Sequence, residues 1–184
     1  MRQLLYQLRY ALPIWLVGFL TDWWPDNRIT IRLRGAMYRP FLGRCGKRFT
    51  CARRVTFLHP HGLTIGANVY FATGGWIEGL GGVTIGDDVM FSPYVVITSS
   101  AHCFLNGSVA EGGSRTAPVS VGRGSWVASH AVLAAGARVG EGCLIGANAV
   151  VTREVPDHMM AGGVPAKVIG PVPERPPTHF SRFS

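Results

Sequence analysis

From Val121 onward an apolar residue recurs at every sixth position: Val121, Val127, Leu133, Val139, Ile145 and Val151. A period of six matches neither the 3.6 of a helix facing a core nor the 2.0 of a single strand, so the repeating unit is a short strand plus a turn. Such units stack into a parallel β-helix. Three hexads close one triangular coil of eighteen residues, with the ladder residues pointing inward. Upstream the pattern continues in two further trios, Ile65, Phe71, Ile77 and Ile85, Phe91, Ile97. Glycine follows the ladder residue at Gly66, Gly86, Gly122, Gly140 and Gly146, as a tight corner favours. An ordinary β-sandwich would reproduce so many hexads in phase only by coincidence.

Two irregularities carry information. Ile65 to Ile85 spans twenty residues, two more than a coil, and Gly79-Leu80-Gly81-Gly82 is the expected bulged corner. Ile85 to Val121 spans thirty-six, a whole coil too many. Residues 103–118, rich in Gly, Ser and Ala, are therefore expected to be a loop extruded from the prism, and extruded loops tend to carry function. The predicted organisation is an apolar helix and basic extension over 1–54, a β-helix over 55–170, and a Pro-rich tail over 171–184.

Length suits one main domain, and a hydrophobic content of 47% suffices for its core. The four cysteines, Cys45, Cys51, Cys103 and Cys143, have no paired metal-ligand spacing and are few for a disulfide-stapled secreted chain, which favours a reducing cytoplasm. Cys143, inside a hexad, reads as core filler. Charge is uneven: residues 1–54 hold eleven Lys and Arg against two acids, the remaining 130 hold seven against eight. The surplus of the whole chain thus sits in the N-terminal segment, which argues for a local anionic partner. Leu4, Leu8, Ala11, Trp15 and Phe19 lie there at helical spacing, with Trp23-Trp24 closing the run. Gln7, Arg9 and Pro13 interrupt it, so an interfacial helix fits better than a membrane span, and no A-x-A-like site marks a cleaved signal. Peripheral docking on the inner face of an anionic membrane and simple capping of the open β-helix end are both compatible with this segment. Nucleic-acid binding is not expected, because no aromatic-basic interleaving accompanies the arginines.

Three stretches are distinctive: Ser99-Ser100-Ala101-His102 at the mouth of the loop, Gly124-Ser125-Trp126-Val127-Ala128-Ser129-His130, and Val151-Thr152-Arg153-Glu154-Val155-Pro156 followed by Ala161-Gly162-Gly163-Val164-Pro165-Ala166-Lys167. With the ladder, they make residues 60–170 resemble the hexapeptide-repeat acyltransferases, in particular the branch of sugar and polysaccharide O-acetyltransferases. The resemblance implies an all-β, left-handed parallel β-helix, a homotrimer with active sites between subunits, and acetyl-CoA as cosubstrate with no permanently bound cofactor. It also implies a carbohydrate acceptor.

The reaction so implied is attack of a hydroxyl on a thioester carbonyl, and near neutral pH that hydroxyl needs a base. Histidine is suited to the task. Among six histidines, His102 stands where the long loop departs and matches the family's base. His130 occupies an outward position, and His59-Pro60-His61 reads as a polar turn. No His-x4-His occurs, which speaks against the zinc site of the β-helix carbonic anhydrases; no metal is expected. By resemblance, the amides of Ser129 and Ala147 meet the pantetheine arm, Ser129 also facing the oxyanion. Thr152 and Arg153 follow for the lower arm and phosphates, Pro165 and Lys167 border the adenine and its 3′-phosphate, and Trp126 walls the acetyl or acceptor pocket. For the acceptor, Trp76 offers a stacking surface and Glu78 a hydrogen-bonding carboxylate.

The stretch Tyr70–Trp76 lacks the asparagine that galactoside and maltose members carry in the coil before the catalytic one, and those members lack the basic aromatic arm. Both differences favour a polysaccharide or glycolipid precursor over a small free sugar. N-acetylation of an amino sugar, acetylation of a xenobiotic, and a non-catalytic trimeric scaffold are the competing readings.

Overall fold

The computed structural model describes residues 1–174. Its body is a triangular prism of three parallel sheets, and the hexad pattern explains each of them. Face 1 stacks Arg44–Cys45, Leu63–Ile65, Val83–Ile85, Val119–Val121, Arg138–Val139 and Glu154–Val155 in that order. Face 2 stacks Thr50–Cys51, Tyr70–Phe71, Met90–Phe91, Trp126–Val127, Leu144–Ile145 and Met159–Gly162; face 3 stacks Thr56–Leu58, Trp76–Glu78, Val96–Thr98, Val132–Leu133 and Val150–Val151. Ladder residues meet their counterparts one coil away, as in Phe71↔Phe91, Ile97↔Leu133 and Val139↔Val121.

Each hexad points two side chains inward, the ladder residue and the one two positions before it, because alternate strand residues take opposite faces. The ladder from Cys51 to Ala161 is buried throughout, and so are Val69, Val89, Ala131, Ala137 and Ala149 in the second row. The core is aromatic at its N-terminal end, where Phe71 and Phe91 stack at 4.5 Å and Phe57 meets Phe49, Phe71 and Tyr38 edge-on. Further along, Val, Ile and Ala fill it.

The prism begins earlier than residue 55. Arg44–Cys45 pairs with Leu63–Ile65 and Thr50–Cys51 with Tyr70–Phe71, so the first coil uses Cys45, Cys51 and Phe57 as its ladder. Cysteine at two of its three ladder places kept this coil out of the apolar pattern. At the other end Lys167–Pro171 runs antiparallel to Met159–Gly162 and ends face 2. Of the expected tail, residues 175–184 lie outside the described part.

Two helical stretches cover the open N-terminal coil. The first continues through Arg2–Tyr6, Gln7–Ala11 and Leu12–Thr21; the second is Arg28–Tyr38, started by a capping box between Asn27 and Thr30. Arg34 clamps them to the prism. It is fully buried, pairs with Asp26 at 2.9 Å, and donates to the carbonyls of Thr21 and Cys51 and to the Thr21 hydroxyl. A residue counted with the surface charges is thus the centre of a buried polar knot.

Candidate active site

One corner of the triangle, between faces 3 and 1, is elaborated in three successive coils. In the first it is the 3₁₀ turn Pro60–Gly62 after His59, in the second Gly79–Gly82, and in the third the whole excursion from Ser99 to Pro118. The excursion is an ordered hairpin, not a plain loop. Ser100–His102 pairs antiparallel with Ser114–Thr116, and a short helix, Val109–Gly112, sits near its tip. Its two ends are held where they leave the prism: the Ala117 N–H donates to the Ser99 carbonyl at 2.9 Å, and the Gly81 N–H donates to the Ser99 hydroxyl at 2.8 Å.

Glu78 anchors this corner from below. It is 7% exposed. Its carboxylate accepts from the Leu80 N–H at 2.6 Å, the Ser99 N–H at 3.0 Å and the Ser100 hydroxyl at 3.0 Å, with His59 Nδ1 3.6 Å away. Burial alone would push the Glu78 carboxyl up; the Leu80 N–H, the Ser100 hydroxyl, the Ser99 N–H and the neighbouring His59 outweigh it, and the net displacement is downward. The structure therefore places Glu78 inside the corner, engaged with the protein's own groups, and not on a surface open to an acceptor. Its nearly complete burial between two coils is a consequence of stacking, which a single hexad does not reveal.

His102 projects on the hairpin, outside the prism, and is exposed. Its Nδ1 lies 3.2 Å from the Ser114 hydroxyl on the opposing strand, the pairing partner set by the register His102↔Ser114. The tautomer that donates Nδ1–H to Ser114 leaves Nε2 with a lone pair, the state a proton acceptor requires. This partner was not evident from the sequence, since a separation of twelve positions reveals a contact only if a hairpin is recognised.

Ser129 and Ala147 occupy the corner between faces 2 and 3, one coil apart. The Asn148 N–H donates to the Ser129 carbonyl, whereas neither the Ser129 nor the Ala147 N–H has an acceptor among the described residues. Two free donors thus lie one above the other along an edge, suited to an extended ligand that offers carbonyl oxygens. In the coil before, the same position is Pro93, which has no N–H to offer. His130 stands next to Ser129, exposed, with its ring stacked on Tyr94 at 5.0 Å.

Trp126 lies outward on face 2, 48% exposed, and its indole N–H donates to the Ser92 hydroxyl at 2.8 Å. Trp76 lies outward on face 3, 45% exposed, between Thr56 and Val96. Thr152 and Arg153 are exposed at the corner following Val150–Val151; Pro165 is exposed between the last two strands and Lys167 at the start of the last. His59 and His61 are part of an aromatic cluster with Tyr6 and Tyr10 of the first helix, at 5.6–5.9 Å between rings. Burial raises the Cys45 thiol to about 11 and pushes the Cys51 thiol up further, in each case against a neighbouring arginine, so both are poor nucleophiles.

These positions fall on two different edges. His102 leaves the corner between faces 3 and 1, while Ser129 and Ala147 line the corner between faces 2 and 3. Within one chain the whole width of face 3 separates them. A stack of hexads with an imidazole on an extruded hairpin and two free amides on another edge offers the parts that a group-transfer site needs.

The comparisons agree with that class. Residues 118–153 match the family model described as bacterial transferase hexapeptide (six repeats). The galactoside O-acetyltransferase of Escherichia coli (strain K12) is 28% identical over 145 residues, covering 79% of this chain and 71% of that protein. A Staphylococcus aureus (strain MRSA252) protein described as an acetyltransferase is 32% identical over 114 residues, which are 62% of this chain and 57% of that one. A galactoside acetyltransferase solved in complex with coenzyme A superposes with a TM-score of 0.78 at 25% identity, over 88% of this chain and 80% of that one. Residues 118–153 thus carry the hexapeptide repeat of bacterial transferases, and the prism is similar to the left-handed parallel β-helix of the hexapeptide-repeat acetyltransferases.

Proposed function

We propose that the protein is an acetyl-CoA-dependent O-acetyltransferase of a sugar hydroxyl, acting in the cytoplasm on a polysaccharide or glycolipid precursor. The observation that carries this reading is the pairing of His102, lifted out of the prism beside Ser114, with the free amides of Ser129 and Ala147. In the proposed step His102 Nε2 takes the proton of the acceptor hydroxyl as its oxygen attacks the thioester carbonyl. The Ser129 N–H stabilises the resulting oxyanion, the C–S bond breaks, and the proton passes from His102 to the departing thiolate. The thioester supplies the acetyl group; no metal or redox partner takes part.

Two edges of one prism cannot both touch one reacting carbon, because a general base must come within about 3 Å of the proton it takes. The reading therefore includes a cyclic homotrimer in which His102 of one subunit meets the amide row of its neighbour. Side-chain chemistry supports this. The outward row of face 1 is polar (Arg44, Thr64, Thr84, Ser120, Arg138, Glu154), whereas those of faces 2 and 3 are rich in apolar residues, among them Met90, Trp126, Leu144, Trp76, Val96 and Val132. A heterologous ring needs two unlike sticky faces and leaves the third to solvent.

In this trimer Thr152, Arg153, Pro165 and Lys167 line the end of the donor groove, Arg153 and Lys167 offering cations to the phosphates of CoA. Trp126 borders the acetyl end, and Trp76 offers its exposed ring to a sugar. The decisive experiment follows CoA thiol release with a panel of glycans, amino sugars and antibiotics. Turnover with hydroxyl acceptors that falls about 10²- to 10⁴-fold in His102→Ala supports the assignment. A preference for amines, or near wild-type turnover in His102→Ala, overturns it.

A further inference from the structure

The first helix is apolar on two opposite sides, and only one of them is covered. Tyr6, Tyr10, Ile14, Val17 and Thr21 form the inward stripe, packed on the first coil and on the second helix. On the outward side Leu4, Leu5, Leu8, Leu12, Trp15 and Leu16 are between 39% and 63% exposed, and Phe19 and Leu20 continue the stripe at 57% and 56%. Trp23 at the helix end is 84% exposed, and Ile29 and Leu33 of the second helix are 70% and 50% exposed. A helix apolar all round belongs in an apolar surrounding, so one partner is missing.

The charges around the stripe say what the partner is. Arg9, Arg28, Arg32, Arg53 and Arg54 are all exposed on this cap. The two acids of the region are already engaged: Asp26 with Arg34, Arg53 and Thr73, and Asp22 with the Arg54 N–H. Two copies meeting through this surface would bring like charges together, whereas a bilayer with anionic headgroups accepts both the apolar stripe and the cations. We propose that the N-terminal cap is a monotopic anchor, lying in the plane of an anionic lipid surface with Leu12, Trp15, Leu16 and Phe19 immersed and the arginines at headgroup level.

The helix cannot cross the bilayer while the prism is folded, although Gln3–Thr21 is long enough. Its inward stripe is bound along its length to the prism. Tyr6 contacts His59 and His61, Tyr10 contacts His61, and the Thr21 carbonyl and hydroxyl accept from buried Arg34. Spanning would drag His59, His61 and the arginines into hydrocarbon or tear the cap from its coil, and both are costly. In a trimer three such caps stand at the same end of the assembly, so anchoring is multivalent. The inference concerns the cap alone and holds whatever the acyl acceptor is.

Flotation of the full-length protein with vesicles tests it, using phosphatidylcholine alone and phosphatidylcholine mixed with phosphatidylglycerol. Expected are co-flotation with the mixed vesicles, loss of at least about tenfold in partitioning for Trp15→Glu/Phe19→Glu, and weakening by salt. Circular dichroism and CoA thiol release with a soluble acceptor should be unchanged in that variant, which separates lost anchoring from lost folding. Equal binding to neutral vesicles, undiminished binding of the variant, or resistance to alkaline extraction would overturn the proposal. So would absence of vesicle binding combined with a higher-order assembly that Trp15→Glu/Phe19→Glu dissolves, since the stripe would then join copies of the chain.

Discussion

Arg34 shows how a single side chain can belong to a different category from its neighbours. Its guanidinium satisfies the end of the first helix, the turn that follows it and the edge of the first coil at once, and Asp26 neutralises it. Arg34→Met should cost on the order of 3 kcal/mol, because Asp26 and three carbonyls lose a partner that water cannot replace in the closed cap; denaturant unfolding measures it. Lys at this position would not rescue the loss, lacking the planar fork of donors. At His102 the relevant neighbour is Ser114. Removing one neutral hydrogen bond that orients the ring is worth about 0.5–1.5 kcal/mol, so Ser114→Ala should lower kcat by roughly two- to tenfold with little change in KM. A change in KM alone would show that Ser114 meets substrate and does not position the imidazole.

The element that matters most is the corner between faces 3 and 1. Three coils widen it, and only the third extends it into a hairpin, which rises from a platform formed by the second. Gly81 is the point of closest approach: a Cβ there would meet the Ser99 carbonyl and come within 2.9 Å of Thr116 Cβ. Gly81→Ala should therefore displace the hairpin and lower kcat more than it lowers the melting temperature, a split that kinetics and calorimetry together resolve. Glu78 ties the same platform by accepting from residues of both coils. Since its folded pKa lies below the ordinary 4.5, its contribution to stability is complete above that value and is lost as pH falls through the lowered one. Melting curves from neutral pH down to about pH 3 should show an acid-side decline in the wild type that is shallower in Glu78→Gln, which starts from a lower plateau. Parallel curves would mean that the carboxylate charge contributes nothing to the corner.

At the scale of the molecule, the three faces divide the work. Face 1 is polar outward and suited to water, while faces 2 and 3 carry Leu144, Met90, Val96 and Val132 toward the outside. Val132→Glu would place a charge in the middle of face 3 without touching the ladder. For the proposed trimer, expected are dissociation to monomers in sedimentation and loss of acetyl transfer, with circular dichroism retained. An active monomer would refute a site shared between subunits. The N-terminal cap completes the picture from one end: it closes the aromatic part of the core and turns an apolar stripe outward.

What the chain determined by itself was the periodic part. Six-residue spacing is local, each coil repeats the same inward positions, and burial of those positions follows directly from stacking; hence the prism, the bulged corner at Gly79–Gly82 and the existence of an excursion were legible, although it leaves the prism at Ser99 and His102 stands on its first strand, not at its mouth. The sequence obscured the first coil, where Cys45, Cys51 and Phe57 occupy ladder places. Tertiary structure decided whatever depends on residues from different coils meeting. It drew Glu78 into the corner, buried Arg34, paired His102 with Ser114, and put the free amides of Ser129 and Ala147 on a different edge from that imidazole. Those contacts join positions roughly ten to twenty or more residues apart, a separation over which no short-range pattern survives, and they exist only once coils stack, the hairpin closes and the cap packs on the prism.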